Sequence, residues 1–166
     1  MRGAAKTSRG SVMSPPTATA DAWTMAHSQN VQRILATYDA VNDRDLDRVF
    51  IDVADDYVMV DHATGATLTG KAAAREWMED ALAASSDVRC SVINVFESGD
   101  TVVVQVRSEG THDGVYAGFQ PSGNRITFDQ CEIYHLDSNG RIVEGHQYYD
   151  LLTMLTQMDA APALGH

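Results

Sequence analysis

The second half of the chain sets the strongest constraint on its fold. Five β-rich runs follow one another there: Val88–Phe96, Thr101–Glu109, Val115–Phe119, Arg125–Leu136 and Ile142–Tyr149. β-Branched and aromatic residues stand out in these runs, and turn residues separate them. Glu97-Ser-Gly-Asp100 and Asp137-Ser-Asn-Gly140 have hairpin-turn chemistry, so neighbouring runs are expected to pair antiparallel. The half before them follows a helical period. Val31, Ile34, Leu35, Tyr38 and Val41 share one face of a helix over 27–42, which Asn42-Asp43 ends. Asp43 is the expected cap of a second, short helix that turns Leu46, Val49, Phe50 and Val53 inward. Tyr57 to Asp61 has the pattern of a strand. Gly65 and Gly70 punctuate a turn region, and Thr69 is the expected cap of a helix over 71–84 with Trp77, Met78, Ala81 and Leu82 on its apolar side. A short helix, Leu151–Met158, closes the sequence. The order helix, helix, strand, helix, meander defines an α+β fold in which a curved antiparallel sheet wraps helices on one face.

The 166 residues suit one domain. Residues 1–25, rich in Ala, Ser, Thr and Pro and lacking a periodic apolar face, are expected to be a disordered tail. The domain is expected over 26–159, with a short tail over 160–166. No apolar run approaches the roughly 18–20 residues of a membrane-spanning helix, and no secretory apolar segment is present. Twelve Lys and Arg stand against 23 Asp and Glu, a net charge of −11, which repels phosphate backbones and argues against nucleic-acid binding. Cys90 and Cys131 are too few for a disulfide scaffold and lack metal-ligand spacing. They are expected to be buried free thiols in a reducing, cytoplasmic setting.

The sequence has no phosphate-binding glycine loop, Gly-x-Ser-x-Gly elbow or HExxH motif. His135 and His146 can meet across the last hairpin, but the pattern supplies no further ligand for a metal, and none is expected. That hairpin is the most informative stretch. Strand alternation places Phe128, Gln130, Glu132 and Tyr134 on one face, with Val143, Gly145, Gln147 and Tyr149 on the same side of the next strand. Asp129, Cys131, Ile133, His135, Glu144, His146, Tyr148 and Asp150 take the other side. If the first set lines a hollow, Glu132 is an acid in apolar surroundings. Burial would raise its pKa and suit it to acid–base work. The alternative is a structural carboxylate bonded to an arginine, Arg107 being the candidate, or to a backbone amide. Asp61 and His62 form a second acid–base candidate at a strand end. Tyr38 and Trp77 are core residues first and pocket lining second.

Gly110-Thr-His-Asp-Gly114 followed by Gly118-Phe-Gln-Pro-Ser-Gly123 resembles the GTHxG…GxxP[TS]G segment of SnoaL-like polyketide cyclases. Gly140-Arg-Ile-Val-Glu144 and the terminal Tyr148-Tyr-Asp-Leu-Leu-Thr-Met-Leu-Thr-Gln157 extend the resemblance, which covers roughly 27–158. It implies the nuclear transport factor 2 fold, a cone of curved sheet closed by about three N-terminal helices. It also implies a small-molecule substrate, no cofactor or metal, and a homodimer formed through the outer sheet face that carries His135, His146 and Tyr148. The family's catalytic Asp falls at Gln147 and its assisting His at Glu132, so both positions depart from the cyclase pattern. The expected function is therefore a cofactor-independent enzyme on a hydrophobic oxygenated molecule, by cyclisation, isomerisation or epoxide opening, with the acid moved across the hairpin to Glu132. Gln147, Gln130 and either Arg107 or His112 would hold substrate oxygens. Tyr38, Trp77, Phe128, Tyr134 and Tyr149 would shape the pocket. The alternatives are a non-catalytic binding or dimerisation module, and an epoxide hydrolase variant using Asp61 or Glu109 as a second carboxylate.

Overall fold

The computed structural model describes residues 27–160. The expected tail over 1–25, and the expected C-terminal tail beyond residue 160, lie outside the described residues. The first helix, α1 (Gln29–Asn42), starts at Ser28, whose hydroxyl accepts the Val31 N–H. It buries Val31, Ile34, Tyr38, Ala40 and Val41, the apolar stripe that the sequence period marks. Asp45, not Asp43, caps the short α2 (Leu46–Val49) by accepting the Arg48 N–H. Asp43 instead pairs with the Arg48 guanidinium at 2.9 Å.

β1 (Val53–Asp61) begins before the expected Tyr57. The turn expected between Gly65 and Gly70 contains a strand, β2 (Ala66–Thr69). This strand is mostly exposed and has no apolar alternation, so only its backbone pairing to β1 defines it. Thr69 belongs to β2, and Gly70 rather than Thr69 occupies the N-cap of α3 (Lys71–Ala83), with no side-chain cap bond. The meander then runs through β3 (Arg89–Ser98), β4 (Thr101–Thr111), β5 (Arg125–Leu136) and β6 (Ile142–Tyr149) to α4 (Leu151–Gln157), capped by Asp150. The expected run Val115–Phe119 is not a strand: it makes only an isolated bridge between Tyr116 and Phe119, around a turn in which Ala117 and Gly118 take positive φ.

The strands form one curved six-stranded sheet in the order β2-β1-β6-β5-β4-β3. Its pairings are antiparallel except one: β6 lies parallel to β1. The intervening α3 and meander carry the chain back to the β1 edge, which a short hairpin cannot do. Val102, Val104 and Val106 of β4 are completely buried on the inner face, together with Ile34 of α1. Each such side chain contributes about 1.5–3 kcal/mol by leaving water. A second cluster, Ile126, Met154 and Met158 with Phe128 and Tyr149 against it, joins α4 to the far end of the sheet.

Two glycines permit approaches that any side chain would block. The Gly114 backbone bonds the Ala84 carbonyl at 3.1 Å, and a Cβ at Gly114 would overlap the Ala83 carbonyl oxygen. Gly145 lies in β6 beneath the Tyr57 hydroxyl, where a Cβ would overlap that oxygen. Tyr57 is buried, so its ring cannot swing out freely. Gly145→Ala is expected to destabilise the fold by about 1–3 kcal/mol, as overpacking does. Tyr57→Phe should recover part of that loss in the double variant. Additive losses in a urea-unfolding cycle would show that Tyr57 is not the obstacle.

Candidate functional site

The inner face of the sheet and the helices enclose a cavity of about 230 Å³. Its lining is chiefly apolar. α1 contributes Tyr38 and Val41, α3 contributes Trp77, Met78 and Leu82, and β1 contributes Val53, Tyr57 and Met59. From β5 and β6 come Phe128, Gln130, Glu132, Tyr134, Gly145, Gln147 and Tyr149. This is the face that strand alternation assigns, with one change. A register shift at the start of β6 brings Ile142, rather than Val143, to the cavity.

Glu132 is the centre of this surface. Across the sheet Val104, Glu132, Gln147 and Asp61 stand directly opposite one another on β4, β5, β6 and β1. The Tyr38 hydroxyl donates to Glu132 Oε2 at 3.0 Å, and the Tyr134 hydroxyl makes a very short bond to the same oxygen. Gln130 Nε2 donates to Oε1 at 2.6 Å. The two tyrosine hydroxyls are 3.2 Å apart. Every one of these donors is neutral. Burial pushes the Glu132 carboxyl above the usual range, and the two tyrosine bonds only partly offset it. Burial, followed by the proximity of Glu132, drives the Tyr38 and Tyr134 hydroxyls well above 10, so both keep their protons. Tyr57 is also raised by burial and then by Glu132.

The far end of the row is tied down differently. Asp61 is buried; its Oδ1 accepts the Ala63 and Thr64 N–H groups, and its Oδ2 accepts the Tyr149 hydroxyl at 3.1 Å. Asp61 thus holds Tyr149 at the cavity wall. Its backbone is two strands, about 10 Å, from that of Glu132, and Gln147 lies between. Gln147 is itself buried. His112 borders the cavity and is 2% exposed. Its Nδ1 accepts the Ser122 N–H at 3.3 Å, so the ring proton sits on Nε2. That Nε2–H is buried and has no hydrogen-bond partner among the described residues. The glycine-rich motif therefore acts as a frame: Gly114 docks on the end of α3 while Ser122 orients His112.

Several expected residues lie elsewhere. Arg107 is not a partner of Glu132. It forms a two-bond pair with Asp129 at 2.7 and 3.0 Å on the opposite face, because Arg107 and Asp129 are register partners. His62 is also outside the cavity, stacked on Tyr148 with its Nε2 3.0 Å from His146 Nδ1. Glu109 does border the cavity, but its carboxylate pairs with Arg125 at 3.4 Å. The thiols are free but half-buried rather than fully buried: Cys90 borders the cavity and contacts Ser108, and Cys131 is on the other face. On that other face His135, Glu144 and His146 bring three potential ligand atoms within 4.8 Å of one another. The sequence pattern offered the two histidines without a third ligand; strand register supplies it, since His135 and Glu144 face each other directly. The sequence reading missed Tyr57 as a cavity residue near Glu132. Its position on a strand of buried alternation was the available signal.

A cavity of this kind, in a helix-backed curved sheet, belongs to a recognisable class. The profile of the SnoaL-like polyketide cyclase family matches residues 32–158, and the chain belongs to that family. No curated protein matches it significantly. Among solved structures it is similar to a proposed SnoaL-like polyketide cyclase from Jannaschia sp. CCS1, with 26% identity, a TM-score of 0.74, and 81% of this chain and 94% of that one covered. It is similar to IdmH, a proposed polyketide cyclase from Streptomyces antibioticus, with 26% identity, a TM-score of 0.65, and 80% and 99% covered. AclR, a proposed hydroxylase from Streptomyces galilaeus, shares the fold at 22% identity and a TM-score of 0.72, with 82% and 89% covered. No helix among the described residues is long and apolar enough to cross a membrane.

The raised Glu132 pKa carries a stability consequence. The native state favours the protonated carboxyl, so above the pKa of an unfolded glutamate the native state is penalised, and the penalty grows until the native pKa is passed. Glu132→Gln removes it. The melting temperature of this variant, relative to wild type, is expected to rise as the pH climbs above about 4. A difference that stays constant with pH would contradict the raised pKa.

Proposed function

We propose that this protein is a cofactor-independent enzyme that moves a proton on a hydrophobic, oxygenated small molecule, with Glu132 as the acid–base group. The observation that carries the reading is a carboxyl held in an apolar cavity, among the described residues, by neutral donors alone. The carboxylate form of Glu132 takes a proton from carbon next to a substrate carbonyl. The resulting enolate oxygen would accept hydrogen bonds from Gln147 or the His112 Nε2–H, and from Tyr38 or Tyr134 once either hydroxyl turns away from the newly protonated Glu132. The proton then returns to a different carbon, which is isomerisation. In the other course the enolate carbon bonds to a second carbonyl carbon of the same molecule, the new alkoxide takes the Glu132 proton, and a ring closes. In the third course neutral Glu132 protonates an epoxide oxygen as a water attacks the ring carbon, the C–O bond breaks, and the proton lost by the attacking water returns to Glu132. Trp77, Phe128 and Tyr149 give the apolar shape. The unpaired Cys90 and Cys131 suit the cytoplasmic setting we assign to the chain.

A second reading, a pocket that binds without catalysis, is favoured by Gln147, which cannot exchange protons where the cyclases carry Asp. The two readings separate by α-proton exchange. Apolar aryl and polycyclic ketones are incubated with the protein in D2O and followed by NMR. Wild type should catalyse exchange, and Glu132→Gln should slow it by about 10²-fold or more. Ketones that bind without any exchange would support the binding module instead.

We further propose a homodimer across the convex sheet face. Phe96, 64% exposed, and Tyr148 stand there beside Val103 and Cys131. Light scattering at micromolar concentration should give about twice the 18.0 kDa chain mass. A monomer would overturn this assignment.

A further inference from the structure

We propose that His135, Glu144 and His146 form a binding site for a divalent transition-metal ion of the zinc class on the face of the β5–β6 hairpin opposite Glu132. Strand register builds it. His135 of β5 and Glu144 of β6 are directly opposed, and His146 follows two residues after Glu144 on the same face. His146 Nε2 lies 3.1 Å from Glu144 Oε1, and the three ligand atoms all fall within 4.8 Å of one another. Ligands about 2.0–2.2 Å from a tetrahedral ion are about 3.4 Å apart. The His146–Glu144 edge already has roughly this length, and a small rotation of a half-buried ring closes the other edges.

The second set of contacts makes this more than a coincidence of side chains. Metal-bound histidines hold their other ring nitrogen in a hydrogen bond, which fixes the ring and its tautomer. Both rings have such a bond. The Thr101 hydroxyl, opposite His135 on β4, meets His135 Nδ1 at 3.0 Å. His62 Nε2 meets His146 Nδ1 at 3.0 Å, and the His62 ring is itself stacked on Tyr148 with centroids 4.1 Å apart. The remaining nitrogen of each ring and the carboxylate are left to coordinate. Two imidazoles and one carboxylate select Zn2+, Co2+ or Ni2+ over Mg2+ and Ca2+. Three protein ligands leave a fourth position for water or an exogenous group. The net charge of −11 raises the local concentration of cations.

The test uses the untagged full chain with Zn2+ by calorimetry and with Co2+ by visible absorption. One ion per chain is expected, with the intense d–d band of four-coordinate cobalt unaffected by excess Mg2+. His135→Ala and His146→Ala should each weaken binding by at least about 100-fold, and the isosteric Glu144→Gln should weaken it clearly. His62→Ala, which removes only an orienting partner, should weaken it by about 10–100-fold while keeping the stoichiometry. The metal-free variants should melt as the metal-free wild type does, and Zn2+ should raise the melting temperature of wild type more than that of any variant, in the order of their affinities. Absence of saturable Zn2+ binding, or unchanged affinity when His135 and His146 are both replaced, would overturn the site. Neither result depends on whether Glu132 is catalytic.

Discussion

A carboxyl group removed from water must be neutralised, paired with a cation or hydrogen-bonded. Glu132 takes the third course, with neutral donors from a helix and from its own strand. The inner surface is arranged around this constraint. Tyr38 must come off α1 at the right height, so the apolar stripe of α1 must dock on the valines of β4. Tyr134 and Gln130 sit two residues either side of Glu132 and share its face by alternation. A nearby arginine would have made Glu132 a fixed anion. The nearest expected candidate, Arg107, is on the other face and is neutralised by Asp129. The carboxyl therefore keeps an elevated affinity for a proton, because burial outweighs the bonds from its two tyrosines.

The two faces of the β5–β6 hairpin separate two chemistries. The inner row joins an acid to hydroxyls and amides in an apolar enclosure. The outer row joins imidazoles to a carboxylate near water. Because side chains alternate, one register sets both: a slip by one residue would turn Glu132 outward and His135 inward. The Gly145–Tyr57 contact helps to hold that register, since Tyr57 can lie over β6 only where a side chain is missing.

Much of this was legible from local pattern. The stripe on α1, the alternation along β4 and β5, and the turn residues at the hairpins follow from helical and strand periods, which are properties of neighbouring residues. The face shared by Phe128, Gln130, Glu132 and Tyr134 follows from the same rule. Short-range chemistry was less reliable at boundaries. Asp43 and Asp45 are equally good caps by composition, and the choice falls to the turn at Arg44, whose positive φ sets where α2 begins. β2 left no pattern because an exposed edge strand has no core to alternate against. The expected pairing of Arg107 with Glu132 fails because the register sets Arg107 opposite Asp129 and Glu132 opposite Val104, which spacing along one strand does not reveal.

The sequence by itself determined the α+β class, the family, the cavity face of the last hairpin and the presence of Glu132 on it among apolar residues. These depend on residue type and spacing along one segment. Tertiary structure alone decided that β6 lies parallel to β1, that Tyr38 reaches Glu132, and that His62 reaches His146. The respective separations of 94 and 84 residues leave no trace in any local period. Such contacts are fixed by how the helices and the sheet pack, a balance of burial over the whole chain rather than a preference of any one part of it.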